Sequence, residues 1–399
     1  MHRILLVFLS LLVFNGLTFC QQQNSPQIKT GAERLEVYLP SLEGKSIGVV
    51  ANHTSLVEGA HLVDTLIARG MNVKRIFSPE HGFRGDRDAG EYVSTYTDER
   101  TGLPVISLYG KRKKPKSEDL EDLDLVIFDI QDVGVRFYTY ISTLHYVMEA
   151  CSKTRTKLIV FDRPNPNGFY IDGPVLKKKQ QSFVGKHPIP VVHGMTIAEL
   201  ARMINEEGWL KNDMKCELEW VKCSNYIHDS LYKLPVKPSP NLPNMRSVYL
   251  YPSLGLFEGT KINVGRGTNF PFQVYGHPEL KEGDFSYIPR SIEGASKSPK
   301  HEGEVCHGVD LRKIPLDSVV NNPGINLKWI KSAYNSFDDS ENFFMPFFNN
   351  LAGNSRLQKM LERKATASEI KKSWQKDLEQ FARKRKKYLL YKDFTEYQR

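Results

Sequence analysis

The sequence predicts an α/β protein with a parallel sheet in its first half and a smaller second domain of mixed α and β structure. Short apolar runs typical of buried strands alternate with segments of helical spacing up to residue 161, which indicates a parallel sheet with helices on both faces. Beyond residue 245, Pro, Gly, Phe and Tyr become frequent and this alternation fades. The 399 residues leave room for two domains, and we expect their boundary near 245–250.

The predicted elements follow one another at intervals that suit this fold. Five apolar runs predict buried strands at 47–51, 73–77, 105–108, 125–128 and 158–161. Helical spacing of apolar residues predicts helices over 61–69 and 142–151. Capping boxes predict the starts of two further helices, Thr196 with Glu199 and Thr366 with Glu369. The second of these helices carries an apolar stripe that we expect to pack against the core: Ile370, Trp374, Leu378 and Phe381.

Residues 1–20 have the features of a secretory signal peptide. His2 and Arg3 give a positive start, and an apolar segment and a less apolar stretch follow up to Cys20. The apolar segment is too short to span a membrane, so we expect a secreted or periplasmic chain without an integral membrane span. Cys20 leaves two alternatives open, lipid modification of the mature N-terminus or simple cleavage. The domains expected after this segment are 27–248 and 249–399.

The charge balance favours an anionic partner. Lys and Arg outnumber Asp and Glu by 55 to 46, which gives a net charge of +9. An exported chain is poorly placed to bind nucleic acid, whereas an anionic envelope polymer would attract it. Part of the positive charge has a simpler explanation, since the five consecutive basic residues at 383–387 are typical of a solvated helix face.

No sequence motif indicates a metal or a nucleotide. The cysteines after residue 20 lack Cys-x-x-Cys spacing, and we expect four isolated buried thiols: Cys151, Cys216, Cys223 and Cys306. The Gly-rich segment 264–268 lacks both the Lys-Ser/Thr of a phosphate-binding loop and the Gly-x-Gly-x-x-Gly pattern. We therefore expect no metal and no cofactor.

Residues 78–85, Ser-Pro-Glu-His-Gly-Phe-Arg-Gly, give the strongest indication of a catalytic site. Pro79 and Gly82 predict a tight turn after the second strand, which presents Glu80 and His81 at the carboxyl edge of the sheet. A carboxyl group among apolar neighbours keeps its proton more readily than one in water, which suits a general acid. The simpler alternative is that this glutamate only pairs with an arginine of the same loop.

Two further polar clusters follow strands at the same predicted edge. Asp129 and Arg136 come after the fourth strand, and Arg163, Asn165 and Asn167 come after the fifth. Amide and guanidinium groups suit recognition of a sugar that carries a carboxylate, since Arg binds carboxylates through two parallel hydrogen bonds. For the asparagines, the alternative is ordinary turn formation in a Pro-rich loop.

Polar residues further along the chain could complete the site. Tyr251, Glu258 and Arg266 lie in an otherwise apolar and glycine-rich run, from which they could close the site. His193 either acts as a base or has a structural or orienting role. A serine hydrolase is a rival interpretation, although neither Gly-x-Ser-x-Gly nor Ser-x-x-Lys with its partner motifs occurs.

The motifs, taken in order, resemble those of the NamZ-type exo-β-N-acetylmuramidases. The matching segments are 52–55, 78–85, 88–91, 101–105, 107–110, 129–140, 162–168, 256–260, 265–268, 351–354 and 388–391. The resemblance implies a Rossmann-like N-terminal domain without a nucleotide, a smaller C-terminal domain, and a site in the cleft between them. One departure is 262–264, where relatives often carry a Ser-Glu pair, so no role of that glutamate applies to this chain.

The resemblance also implies an activity, the release of N-acetylmuramic acid from the non-reducing end of peptidoglycan fragments. Peptidoglycan-derived sugars are then the expected partner. The expected catalytic residues are Glu80, which matches the family's proposed acid, His81 and Tyr251. The expected substrate-binding residues are Asn52, Arg84, Asp129, Arg136, Arg163, Asn165, Asn167, His193, Glu258 and Arg266. A non-catalytic protein that binds cell-wall sugars and a serine-type amidase or esterase remain as alternatives.

One hypothesis concerns the lactyl carboxylate, which distinguishes N-acetylmuramic acid from N-acetylglucosamine. We expect at least one of Arg136, Arg163 and Arg266 to bind it, because a guanidinium group matches the geometry of a carboxylate.

Overall fold

A seven-stranded sheet forms the centre of the N-terminal part in the computed structural model, which describes residues 27–84 and 95–395. The expected signal peptide with Cys20 and the matching segment 88–91 lie outside these residues. The strands of the described chain are β1 (Ser46–Ala51), β2 (Leu56–Val57), β3 (Ala60–His61), β4 (Asn72–Ser78), β5 (Tyr96–Thr97), β6 (Pro104–Ser107), β7 (Leu125–Asp129), β8 (Lys157–Phe161), β9 (Leu218–Val221), β10 (Val274–His277), β11 (Phe285–Tyr287) and β12 (Cys306–Asp310).

The large sheet has the strand order β5-β6-β4-β1-β7-β8-β9. Its strands pair in parallel, apart from the antiparallel pair β5–β6 at one edge. The five predicted strands correspond to β1, β4, β6, β7 and β8. The predicted α/β class is therefore confirmed.

Both faces of the sheet are buried, and this explains the nearly continuous apolar runs of its strands. Val50 and Phe128 belong to an apolar layer on one side, whereas their neighbours Val49 and Ile127 belong to a separate layer on the other side. Successive side chains of a strand point to opposite faces, so each layer takes every second residue. Burial on both faces is typical of parallel sheets covered by helices.

The order of the strands creates a switch point beside β1. The chain places β4 and β6 on one side of β1 and then returns to place β7 on the other side. The loops that leave the carboxyl ends of β1 and β7 therefore run in opposite directions and leave a crevice between them. This crevice is where an open α/β sheet binds its ligand.

The helices of the described chain are α1 (Leu35–Leu42), α2 (Leu62–Ala68), α3 (Tyr140–Thr154), α4 (Ile197–Glu206), α5 (Met245–Leu254), α6 (Leu316–Asn321), α7 (Leu327–Asn335), α8 (Phe348–Ala352), α9 (Arg356–Glu362) and α10 (Ala367–Arg385). Thr196 and Thr366 cap α4 and α10 with both hydrogen bonds of a capping box, as predicted. The predicted apolar stripe of α10 is buried in the main core.

The C-terminal part contains a small antiparallel sheet, in the order β10-β12-β11, and the helices α6 to α10. Arg385 at the end of α10 is buried and donates two hydrogen bonds to the carbonyl oxygen of Gly194, at 2.9 and 2.6 Å. This contact fastens the last helix to the N-terminal part. In the described chain, no helix combines the length and apolar character needed to cross a bilayer.

Candidate active site

Glu80 and His81 lie in a tight turn directly after β4. The backbone N–H of Gly82 donates to the carbonyl oxygen of Pro79 at 3.3 Å, which closes the turn. His81 adopts a left-handed backbone conformation with a φ of 72°, which is uncommon outside glycine and often marks a functional site. The turn that Pro79 and Gly82 predict is present, and it directs Glu80 towards the crevice.

A cavity opens at this edge of the sheet, and residues from both halves of the chain line it. We call it the crevice cavity. Its lining consists of Glu80, His81, Phe137, Tyr138, Thr139, Tyr140, Val184, Ser239, Asn241, Leu242, Tyr251, Gly255, Glu258, Arg266, Phe272, Phe347 and Leu351. Five of the residues that the sequence suggested are therefore brought together: Glu80, His81, Tyr251, Glu258 and Arg266.

Aromatic rings form much of the wall around these polar groups. Tyr251 packs edge-to-face against Phe137 and Phe272, with ring centroids 5.3 and 4.9 Å apart. Tyr138 and Tyr140 pack against each other in the same manner at 4.9 Å. Gly255 permits the close packing, because a Cβ atom at that position would lie 2.3 Å from the ring of Phe137. A wall of this kind suits the apolar faces of a sugar ring.

Glu80 is half-buried in this cavity, and the hydroxyl group of Thr139 donates to its Oε2 at 3.3 Å. Thr139 immediately precedes α3, in the segment that follows β7. The loop after β4 and the segment after β7, whose strands flank β1, therefore meet at this carboxyl group.

Glu258 and Arg266 form a bidentate ion pair in the cavity wall. The Nε and Nη2 atoms of Arg266 lie 3.0 and 2.7 Å from Oε2 of Glu258. Burial opposes ionisation of Glu258, but Arg266 and then Lys300 outweigh it and lower the pKa of this carboxyl group. Glu258 is thus an anion at neutral pH.

The phenol of Tyr251 lies within reach of these charges. Burial raises its pKa well above the usual range, and the negative charge of Glu258 raises it further. Tyr251 is therefore a neutral phenol at neutral pH. In that form it can donate a hydrogen bond, whereas a phenolate would require a base to remove its proton.

Lys300 supports this part of the wall from behind. Its Nζ lies within hydrogen-bond distance of four carbonyl oxygens, those of Phe257, Glu258, Thr260 and Ile262. Gly255–Gly259 form a short 3-10 helix, and Lys300 places its positive charge beside carbonyl groups at and just beyond the C-terminal end of this helix. The ammonium group thereby holds the backbone of Glu258 in place.

A second group of predicted residues is buried and does not line the cavity. Arg163 binds Asp129 through Nε at 2.6 Å and Nη2 at 2.8 Å, and both side chains are almost fully buried, with exposures of 2% and 0%. Arg163 also donates to the carbonyl oxygen of Leu56 at 3.1 Å. This ion pair joins the ends of β7 and β8 to the segment after β1.

Arg136, Asn165 and Asn167 bind backbone groups in the interior. Arg136 is fully buried and donates to the carbonyl oxygens of three residues, Pro174, Ile189 and Leu351. Asn165 donates to the carbonyl oxygen of Met195, and Asn167 to those of Val133 and Val248. These contacts tie the three side chains to the backbone, and none of the three lines the crevice cavity.

Asn52, Arg84 and His193 are likewise outside the cavity lining, as far as the described residues show. Asn52 donates to the hydroxyl oxygen of Tyr140 at 2.9 Å, so it orients a residue that does line the cavity. Arg84 is paired with two carboxylates, those of Asp64 and Asp98. Burial, followed by nearby arginines, lowers the pKa of His193 to about 3, so this histidine is neutral and enclosed.

The aromatic lining at 137–140 was not predicted, although these residues end one of the matching segments. Phe137, Tyr138 and Tyr140 follow Arg136 in the sequence, and a run of aromatic residues in a loop after a strand could have indicated this wall. Ser239 and Asn241 also line the cavity, but they lie in a Pro-rich stretch in which no sequence pattern indicates a site. Among the described residues, no group of three or more His, Cys, Asp or Glu side chains could hold a metal ion.

A parallel α/β sheet whose carboxyl edge opens into a cavity with two glutamates, a tyrosine and aromatic walls defines an enzyme that acts on a polar, ring-shaped substrate. Carboxyl groups are the usual catalytic groups of glycoside hydrolases. The crevice cavity therefore places the protein in the class of α/β enzymes with a glycosidase-like site.

The comparisons with known proteins agree with this class. Residues 47–246 match the family model described as exo-beta-N-acetylmuramidase NamZ, N-terminal, and residues 249–391 match its C-terminal counterpart. The chain is 40% identical to the peptidoglycan beta-N-acetylmuramidase NamZ of Bacillus subtilis (strain 168), over 93% of each chain. The protein belongs to the NamZ family of exo-β-N-acetylmuramidases.

Two crystal structures share the fold. Both are DUF1343 family proteins from Bacteroides fragilis NCTC 9343, and the match covers 92% of this chain and 99% of each of theirs. The first is 45% identical with a TM-score of 0.86, and the second is 31% identical with a TM-score of 0.74. The two-part architecture described above is therefore also found in experimental structures.

The buried ion pair makes a prediction about stability. Replacing Arg163 by Met leaves the Asp129 carboxylate buried without a counter-charge, which costs about 3–5 kcal/mol of the free energy of unfolding. Arg100→Met is the matched control, because Arg100 is 72% exposed in its pair with Asp64 and such pairs contribute about 0–1 kcal/mol. Urea unfolding of both variants provides the measurement. Equal stability of the two variants would show that the pair does not anchor the strand ends.

Proposed function

We propose that the protein releases N-acetylmuramic acid from the non-reducing end of peptidoglycan fragments, with Glu80 as the general acid of the crevice cavity. The single observation that carries this proposal is the position of Glu80, which lies half-buried in the turn after β4 and lines the crevice cavity together with a wall of aromatic rings. The family to which the chain belongs supports the same activity.

The proposed reaction follows the usual course of glycoside hydrolysis. The terminal sugar enters the cavity, and Glu80 donates a proton to the glycosidic oxygen as its bond to the anomeric carbon breaks, so that the N-acetylglucosamine unit leaves with a free hydroxyl group. A water molecule then bonds to the anomeric carbon and loses a proton to the solvent, and Glu80 regains a proton. Positive charge develops on the sugar ring in the transition state. The anionic Glu258 and the oxygen of the neutral Tyr251 are the groups of the cavity that can stabilise this charge.

Recognition of the lactyl group is assigned to Arg266. Of the three arginines that the sequence suggested, Arg136 and Arg163 bind interior groups, whereas Arg266 lines the cavity. Its guanidinium group is shared with Glu258 and lies over the ring of Phe272, with 5.1 Å to the ring centroid. We propose that the lactyl carboxylate approaches this group from the cavity.

We also propose that the protein is exported. The support is the positive start and apolar run of residues 1–20 together with the net charge of +9, which suits a chain that works on an anionic wall polymer. Cell fractionation tests this proposal, since a cytoplasmic chain would contradict it.

Replacing Glu80 tests its role as the general acid. Glu80→Gln should lower the release of N-acetylmuramic acid from a defined disaccharide of N-acetylmuramic acid and N-acetylglucosamine by about 100- to 10,000-fold, because the amide cannot donate the proton. Chromatographic product analysis gives the rate, and calorimetry should show that the variant still binds the disaccharide. Glu99→Gln, at an exposed carboxyl group outside the cavity, is the control. Near-normal turnover by the Glu80 variant would remove Glu80 from the mechanism. A wild-type protein that binds without turnover would support a sugar-binding protein instead.

A second prediction separates chemistry from packing at Tyr251. Tyr251→Phe keeps the ring contacts with Phe137 and Phe272 and removes only the hydroxyl group. If this group acts on the substrate, turnover should fall about 100-fold, as for other single polar groups that stabilise a transition state, while the melting temperature stays the same. Tyr249→Phe is the matched control in the same helix, since Tyr249 does not line the crevice cavity. Full activity of the Tyr251 variant would assign the residue to packing.

A third prediction concerns specificity. Arg266→Lys should reduce kcat/KM for N-acetylmuramyl substrates about tenfold more than for N-acetylglucosaminyl analogues, because Lys lacks the planar pair of donors that matches a carboxylate. The readout is the ratio of the kcat/KM values for the two substrates. An effect of the substitution on Glu258 lowers both values equally and therefore leaves this ratio unchanged. An equal loss on both substrates would show that Arg266 does not recognise the lactyl group.

A further inference from the structure

Phe347 differs from the other residues that line the crevice cavity. It is 39% exposed, whereas the remaining lining residues are buried or half-buried. A side chain that both lines a cavity and faces solvent stands at its mouth. A phenylalanine in this position leaves apolar surface in contact with water, and a ligand at the mouth can cover that surface.

The backbone holds Phe347 firmly at this mouth. Its carbonyl oxygen accepts hydrogen bonds from the N–H groups of Asn350 and Leu351, at 3.1 and 3.3 Å, where α8 begins. Two residues earlier, Met345 donates to the carbonyl oxygen of Gly259 at 2.8 Å. The next residue, Phe348, is fully buried. The ring is therefore displayed by an ordered segment that is fixed on both sides.

The same segment is packed directly against the element that carries Glu258. A Cβ atom added to Gly259 would lie 2.4 Å from Cα of Phe348, so the backbone of the 3-10 helix touches the start of α8 without a side chain between them. The distance from the mouth to the charged wall is thus set by backbone contact. An aromatic ring placed in this manner is pre-organised to receive a ligand.

We propose that Phe347 is the stacking platform for the leaving-group sugar, the N-acetylglucosamine unit attached to the terminal N-acetylmuramic acid. The inference rests on the proposed exo-acting function, in which only the terminal sugar enters the cavity and the next unit stays at the mouth. One face of a pyranose ring presents C–H groups, which pack favourably on an aromatic ring. Phe347 then contributes to binding of the second sugar and leaves the binding of the first unchanged.

Calorimetry in the Glu80→Gln background tests this inference without depending on turnover. Adding Phe347→Ala should weaken binding of the N-acetylmuramic acid–N-acetylglucosamine disaccharide about tenfold, the effect expected for loss of one aromatic stack. Binding of free N-acetylmuramic acid should change by less than about twofold, because this sugar does not reach the platform. Phe347→Trp should retain tight binding of the disaccharide.

Met345→Ala is the matched control. Met345 is 36% exposed and lies two residues away, but it does not line the cavity, so its loss should leave both affinities unchanged. Equal weakening of both ligands by Phe347→Ala, unchanged affinity for the disaccharide, or no disaccharide binding at all would overturn the assignment. Failure of the proposed function has a different signature, since the wild-type protein would then release neither sugar from the disaccharide, whatever its affinity for it.

Discussion

The buried ion pair between Asp129 and Arg163 is the constraint on which the cavity depends. Its two side chains are excluded from solvent, so each requires the other as a counter-charge. Through it the ends of β7 and β8 are joined, and a further hydrogen bond reaches the carbonyl oxygen of Leu56. The hydroxyl group of Ser55 also donates to the carbonyl oxygen of Asp129. The segment after β7, which carries the lining residues 137–140, therefore starts from a rigid base.

The buried ion pair also explains why the sequence predicted the location of the site better than it predicted which residues line the cavity. Polar residues do cluster at the carboxyl ends of the central strands, as expected for an α/β sheet, and this located the correct edge. The cluster, however, contains two layers of residues. Asp129 and Arg163 pair with each other and do not line the cavity, whereas Glu80 lines it. Buried ion pairs and cavity-lining groups draw on the same polar residue types. A single sequence does not reveal which polar group meets the opening.

The fold was more predictable than the site for a related reason. Strands buried on both faces appear as long apolar runs, and the capping boxes at Thr196 and Thr366 mark helix starts locally, so these elements were visible. Contacts between segments that are distant in the sequence could not be predicted in this way. Asn52 orients Tyr140 across 88 positions, and Lys300 binds carbonyl groups about forty positions earlier in the chain, and no local pattern announces such pairs. The short strands β2, β3 and β5 also escaped prediction, because two residues are too few to show periodicity.

The two halves of the chain supply different chemistry to one cavity. The N-terminal sheet contributes the proposed acid, Glu80, and the second half contributes an anion, Glu258, whose charge is stabilised by Arg266 and Lys300. A crystal structure of the protein with bound N-acetylmuramic acid is the most direct test of this shared cavity. We expect the sugar to occupy the crevice cavity with its anomeric oxygen within hydrogen-bond distance of the Glu80 carboxyl group. A sugar bound elsewhere, or bound in the cavity without contact to Glu80, would contradict it.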